Sequence, residues 1–75
     1  MFDRITSRPD VLGGKPIIKG TRISVEFILE IVASGGSVDD IVRNYPALTA
    51  EDARQAILFA DENLKNDIYL TASAT

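Results

Sequence analysis

Residues 13–24 read GGKPIIKGTRIS, and this stretch separates two differently patterned parts of the chain. It holds three glycines, one proline, three cations and three isoleucines in twelve positions. Glycine permits backbone angles that other residues avoid, whereas proline fixes φ and lacks an amide donor. We therefore predict a shaped, partly extended backbone here, with Gly13, Gly14, Pro16 and Gly20 setting its course.

Short strands are predicted on the N-terminal side of the chain. Residues 4–6 are partly β-branched, and Ile17 and Ile18 offer a second strand that could pair with them. Two strands of this length are not stable alone, so we expect the ribbon to lean on helices. Val11 and Leu12 supply an apolar anchor between the two strands.

Three helices are predicted after the ribbon, each beginning at a hydroxyl cap. Ser24, Ser37 and Thr49 can accept hydrogen bonds from the unpaired amides of a first helical turn. The first helix should end at a glycine pair, residues 35–36, and the second at about Tyr45, which precedes a proline. The predicted buried stripe of the third helix is Ala53, Ala56, Ile57, Ala60 and Leu64.

The length predicts one small domain with a thin margin of stability. We place it over residues 1–70, as a basic β/turn arm over 1–23 and a helical body over 24–66. Asn66 and Asp67 break the helical pattern, and residues 71–75 are expected to form a disordered tail. The fold class is mainly α, a small bundle of three to four helices with a short N-terminal β ribbon.

The composition argues against several classes of protein. The chain has no cysteine and no histidine, so disulfides, the usual neutral-pH proton shuttle and the commonest transition-metal ligand are missing. No apolar run is long enough to span a membrane, and the N-terminus lacks the layout of a signal peptide. We expect a cytoplasmic protein that is not an enzyme, needs no cofactor or metal, and forms a homodimer or docks on a partner.

The charge is distributed unevenly between the two parts. The net charge is +3 up to Arg22 and −6 from Ile23 onward. An anionic partner for the basic arm, such as nucleic acid, is one interpretation. Docking of the arm on the acidic residues of its own body is the other, and both remain open.

The candidate contact residues in the arm are Lys15, Lys19 and Arg22. Lys19, Arg22 and the amides exposed by the glycines could contact phosphate oxygens. The order Lys-Gly-Thr differs from that of a P-loop, so we do not expect nucleotide hydrolysis. Thr21 is expected to satisfy a nearby amide.

The second and third helices have the proportions of a helix-turn-helix. That motif reads bases with side chains near the start of its second helix, here Arg54 and Gln55. Two acids, Glu51 and Asp52, lie at the same end of the helix and would repel phosphate. The basic arm is therefore the better electrostatic candidate for binding nucleic acid.

Two apolar features lie on the third helix and after it. Ile68, Tyr69 and Leu70 form a patch that either folds back on the third helix or offers a strand or arm to a partner. Leu58 falls on the far side of the helix, as an ordinary surface leucine or as a contact to another chain.

The sequence closely resembles the family catalogued as domain of unknown function 433. The similarity lies in the pattern from Gly13 to Ile23, a later glycine, Tyr45-Pro46, and Leu-Thr-x-Glu-Asp at residues 48–52. It covers about residues 4–65. The resemblance implies a winged-helix-like or homeodomain-like fold.

Members of that family are often proposed to be antitoxins similar to the VapB type, paired with a PIN-like ribonuclease toxin. The resemblance therefore implies a binding protein that neutralises such a toxin and, as a dimer, binds its own promoter. Basic residues of the arm would cover the acidic pocket of the toxin, and residues 68–70 would supply an apolar anchor. A stand-alone DNA-binding regulator and a dimerisation module without a nucleic-acid role are the alternatives.

Overall fold

Three helices and a two-stranded antiparallel ribbon make up the described part of the chain. This computed structural model describes the backbone of residues 2–74 and the side chains of residues 2–65. In chain order the elements are β1 (Ile5–Thr6), a short 3-10 turn (Leu12–Gly14), β2 (Ile17–Ile18), α1 (Val25–Ala33), α2 (Val38–Asn44) and α3 (Ala50–Ala74). The predicted mainly helical class and the N-terminal ribbon are confirmed.

The ribbon pairs the two strands that the sequence predicts. Ile5 lies opposite Ile18, and Thr6 lies opposite Ile17. Beyond the register pairs, the Lys19 N–H donates to the Arg4 carbonyl at 2.8 Å. β1 therefore fixes one edge of β2.

The other edge of β2 is bonded to the residues that lead into α1. The Ile18 N–H donates to the Ile23 carbonyl at 2.9 Å, and the Val25 N–H donates to the Pro16 carbonyl at 3.0 Å. With partners on both edges, Ile17 and Ile18 are almost fully buried. The predicted basic arm is thus built around a central strand of the fold.

Residues 19–22 form the hairpin tip that joins β2 to this second edge. The Thr21 N–H donates to the Ile18 carbonyl at 3.0 Å, which closes a four-residue turn. Gly20 has a φ of 81°, and its place as third residue of the turn is where a type II turn requires positive φ. The Thr21 hydroxyl donates to the Ile18 carbonyl and accepts from the Ile23 N–H at 3.0 Å, as the sequence predicts.

Each helix begins at its predicted cap. The Ser24 hydroxyl accepts from the Phe27 N–H at 2.9 Å, and Ser37 forms a reciprocal capping box with Asp40. Thr49 and Asp52 form a second box, with bonds of 3.1 Å and 3.0 Å. The helix ends follow prediction too, because α1 stops before the glycine pair at 35–36 and α2 stops at Asn44.

The core lies between the ribbon and one face of the three helices. Three alanines on α3 permit the close approach of α1 and α2. The buried cluster consists of Ile18, Val25, Ile28, Ile41, Leu48, Ala53, Ala56 and Ala60.

The third helix differs from the prediction in three respects. Leu64, predicted as part of the buried stripe, is 53% exposed because it lies beyond the last core alanine, Ala60. The backbone also continues as helix through Asn66 and Asp67, where the sequence predicts a break. The same helix includes residues 71–74, which the sequence predicts as part of a disordered tail, whereas the domain boundary at residue 70 stays a prediction.

Candidate functional site

Arg4 of the basic arm is engaged inside the fold. Its Nε donates to Oδ1 of Asp52 at 2.6 Å, and the Asp52 side chain is 1% exposed. Burial acts to raise the pKa of the Asp52 carboxyl, but the Arg4 guanidinium and the Thr49 N–H together hold that pKa below its usual value. This pair ties the N-terminal strand to the start of α3, a role for Arg4 that the sequence analysis missed.

Gln55, predicted to read bases, is buried in the same network. Its Oε1 accepts from the Arg4 N–H at 2.9 Å, and its Nε2 donates to Asp3 and Glu51 at 2.8 Å and 3.0 Å. The side-chain amide of Gln55 therefore makes its hydrogen bonds within the protein. Its bond is the largest cause of the lowered pKa of Asp3.

Arg54, the other predicted base reader, is exposed but paired on its own helix. Its Nε and terminal nitrogen donate to the two carboxylate oxygens of Glu51 at 3.0 Å and 2.6 Å. This two-point contact raises the pKa of Arg54 and lowers that of Glu51. The start of α3 therefore presents little positive charge to a DNA groove.

Lys15 is likewise paired with the body of the protein. Its Nζ lies 2.9 Å from Oε1 of Glu26 on α1. The hydrogen bond to Glu26 is the main cause of the raised pKa of Lys15. Arg4 and Lys15 thus follow the interpretation in which the arm docks on its own acidic residues.

Lys19 and Arg22 are not docked on the acidic residues of the body that the structure describes. Both are exposed at the hairpin tip. Among the side chains that the structure describes, neither forms an ion pair. The bonds of the turn hold their backbone in place, so two cations are presented together on a fixed support.

Two clefts meet at Arg22. One is polar, has a volume of about 350 Å³ and is lined by Arg8, Asp10, Val11, Gly20, Thr21 and Arg22. The other is mainly apolar, has a volume of about 300 Å³ and is lined by Leu12, Arg22, Ile23, Ser24 and Phe27. Arg22 is the residue that both clefts share.

Leu12, on the rim of the apolar cleft, has an unusual backbone. Its φ is 50°, and the turn continues through Gly13 and Gly14 at 67° and 85°. A left-handed backbone costs a side-chain-bearing residue roughly 1–2 kcal/mol. The side chain is nevertheless 48% exposed, so little burial offsets this strain. The glycines of this turn are predicted from the sequence, but the left-handed leucine is not.

A third cleft, of about 450 Å³, lies between α1 and α3. Its lining includes Val25, Leu29, Phe59 and Leu64, with the Lys15–Glu26 pair at its edge. The side chains of Ile68, Tyr69 and Leu70 lie outside the described residues, so their predicted contact with a toxin stays a prediction.

Two further features are absent from the described residues. None of the helices there is long and apolar enough to cross a membrane. That same part of the chain brings no three acidic, histidine or cysteine side chains together as a metal site.

The geometry defines a small helical domain whose β hairpin exposes two cations, one of which, Arg22, lines two clefts. Residues 5–60 match the family described as "Protein of unknown function (DUF433)", and the chain belongs to that family. The predicted family resemblance is confirmed.

One curated relative and one solved structure support this assignment. The uncharacterized protein y4eO of Sinorhizobium fredii (strain NBRC 101917 / NGR234) is 42% identical over 59 residues, covering 79% of this chain and 27% of the relative. This chain therefore spans about a quarter of that relative's length. The crystal structure of a DUF433 member from Anabaena variabilis ATCC 29413 superposes with a TM-score of 0.77 at 32% identity, covering 92% of this chain and 68% of that one.

Proposed function

We propose that this chain is a non-catalytic binding protein that uses Lys19 and Arg22 to contact an acidic surface on a partner protein. The observation that carries the proposal is the division of the arm cations. Arg4 and Lys15 are paired internally, whereas the two tip cations have no ion pair among the described side chains. A support that is already ordered loses little conformational freedom on binding, which favours affinity.

The specific partner in this proposal is a PIN-like ribonuclease, with the chain acting as its antitoxin. Such a toxin holds metal with acidic residues, and a guanidinium can bind a carboxylate through two parallel hydrogen bonds. Arg22 is the cation suited to that contact, and Ile68, Tyr69 and Leu70 would add an apolar anchor. The proposal includes a homodimer in the cytoplasm.

DNA binding by a winged-helix-like or homeodomain-like arrangement is the second candidate. The reciprocal cap at Thr49 starts α3 shortly after α2, as a helix-turn-helix requires. The internal contacts of Arg54 and Gln55 weigh against base reading by α3. Phosphate contacts would therefore fall to Lys19 and Arg22, with an affinity that drops steeply as salt rises.

We expect the double variant Lys19→Gln/Arg22→Gln to lose about tenfold or more in affinity for its partner, because charge-assisted hydrogen bonds are the strong ones. The measurement is co-purification, followed by titration, with the protein encoded beside it in the genome. The matched control is Arg43→Gln/Lys65→Gln, which removes the same charge from two cations that are paired within their own helices.

Equal capture by both double variants would contradict the proposal. The alternative of a DNA-binding regulator predicts that the protein retains a DNA duplex in a salt-dependent way. Lys19→Gln/Arg22→Gln should then lose this retention, and Arg43→Gln/Lys65→Gln should keep it. A gel shift at two salt concentrations separates these outcomes.

A further inference from the structure

We infer that the two clefts at Arg22 form one recognition site for a protein segment that carries a carboxylate beside an aliphatic side chain. This inference rests on the proposed function, since it specifies the chemistry of the acidic partner. The carboxylate would bind Arg22 at the mouth of the polar cleft, and the aliphatic side chain would enter the apolar cleft. Arg22 connects the two parts because it lines both clefts.

The apolar cleft has walls that are fixed before any ligand arrives. The Phe27 ring packs edge-on against Tyr45, with centroids 5.5 Å apart and planes at 88°. Ser24 is held by its capping bond to the Phe27 N–H, and Ile23 is held by its bonds to the hairpin. A preformed cleft of about 300 Å³ is at the small end of ligand sites and has room for an aliphatic side chain.

Leu12 provides an independent indication that this cleft is a binding site. Its left-handed φ of 50° is a strained conformation for a leucine, and the side chain remains half exposed on the rim. Strained backbone that the surrounding structure maintains is concentrated at ligand and switch sites. An aliphatic group in the cleft would cover Leu12 and give the exposed side chain an apolar contact.

The polar cleft favours a single carboxylate over a run of phosphates. Arg8 is drawn toward Asp10 at 3.4 Å, and both side chains remain largely exposed. Arg8 and Arg22 against Asp10 leave the lining with one net positive charge, which a single carboxylate neutralises and a run of phosphates would exceed. One carboxylate can approach Arg22 from the side of the apolar cleft and bind in the two-point geometry that guanidinium groups favour.

The test is a titration of the full chain, labelled with ¹⁵N and followed by its backbone amide signals. The probe is N-acetyl-leucine, which joins a carboxylate to an isobutyl side chain. N-acetyl-leucinamide removes the charge, and N-acetylglycine removes the side chain. We expect N-acetyl-leucine to shift the amides of Leu12, Thr21, Arg22 and Phe27, with binding about fivefold to tenfold tighter than either control compound.

Three variants make the expectation specific to this site. Arg22→Gln should lower the affinity for N-acetyl-leucine to that for N-acetyl-leucinamide, because the carboxylate no longer has a guanidinium to bind. Leu12→Gly keeps the left-handed turn but removes the side chain. It should therefore lower the affinity for N-acetyl-leucine and leave the affinity for N-acetylglycine unchanged. Arg43→Gln, which alters an arginine on α2 outside both clefts, should change neither affinity.

Equal binding of the three compounds, or no shift at these amides, would overturn the inference. Stronger displacement of the same signals by a short DNA duplex than by N-acetyl-leucine would also overturn it. One mixed outcome is that N-acetyl-leucine binds selectively, while the protein encoded by the neighbouring gene binds the Lys19→Gln/Arg22→Gln variant as tightly as the unchanged protein. That outcome would uphold the site and refute the proposed function. In the other mixed outcome, capture of that protein requires Lys19 and Arg22, but the three compounds bind equally. That outcome would support the proposed function and refute the site.

Discussion

The variant Ile18→Ala is expected to lower the free energy of unfolding by about 3–4 kcal/mol, because removing a large aliphatic side chain from a packed core leaves a cavity. Ile18 is 0% exposed, and it belongs to the same core cluster as Val25, Ile28 and Ala56. A domain of this length has a total stability of roughly 4–11 kcal/mol, so the loss is a large part of it. Urea unfolding followed by circular dichroism measures the change.

Leu58→Ala is the matched control for this prediction. It removes the same number of carbon atoms from a side chain that is 41% exposed on the outer face of α3. Its effect should be well below half of that at Ile18, since 41% of its surface already contacts solvent in the folded protein. Similar losses at both positions would show that the hairpin is not part of the core.

The variant Asp52→Ala is expected to lower the free energy of unfolding by roughly 3 kcal/mol, because the reciprocal half of the capping box is lost and two partly buried donors are left without an acceptor, at about 1–3 kcal/mol each. One carboxylate oxygen accepts from Arg4 and the other from the Thr49 N–H. Thermal unfolding measures the loss. Asp61→Ala, which removes an exposed partner of Lys65, is the control and should have little effect.

The stability of the protein should fall in acid, and Asp52 should contribute to that fall. Its pKa is lowered in the folded state, so its contribution is complete above the unfolded value of about 3.9 and is lost as pH falls through the folded value. Asp52→Asn should therefore flatten the decline in unfolding free energy below about pH 4. Part of the decline should remain in this variant, because Asp3, Asp40 and Glu51 also have lowered pKa values. A slope identical to that of the unchanged protein would contradict the assignment.

Local signals in the sequence were sufficient to predict the secondary structure of most of the chain. The caps at Ser24, Ser37 and Thr49 depend on residues within three positions, and the contacts of Thr21 lie within its own turn. The short strands were found because β-branched residues flank a turn with a glycine at its required position. These features need no knowledge of how the elements pack.

Features that depend on distant partners were not predicted. Arg4 and Asp52 are separated by 48 positions, and the bond between Arg4 and Gln55 spans 51. Composition could indicate a basic arm, but it could not distinguish the cations paired in the fold from those left at the tip. The exposure of Leu64 was missed for a related reason, because helical periodicity does not reveal where the neighbouring helices end.

The candidate site was predicted in part. The sequence predicts Lys19 and Arg22 as contact residues because they and the amides exposed by the glycines could contact phosphate oxygens, and the structure puts both side chains at the exposed tip. The two clefts were not foreseen, because they depend on how the turn at Leu12 approaches the start of α1. No sequence pattern signals a leucine with positive φ.

In the hairpin, the residues that stabilise the fold are different from those whose side chains are exposed at the tip. Ile18, Gly20, Thr21 and Ile23 supply the core contact, the turn and its bonds, while the side chains of Lys19 and Arg22 are exposed and take no part in them. New side chains at these two positions would change the charge and shape of the exposed surface and leave the scaffold intact. The same loop therefore offers a compact platform on which surface chemistry can vary without a cost in foldability.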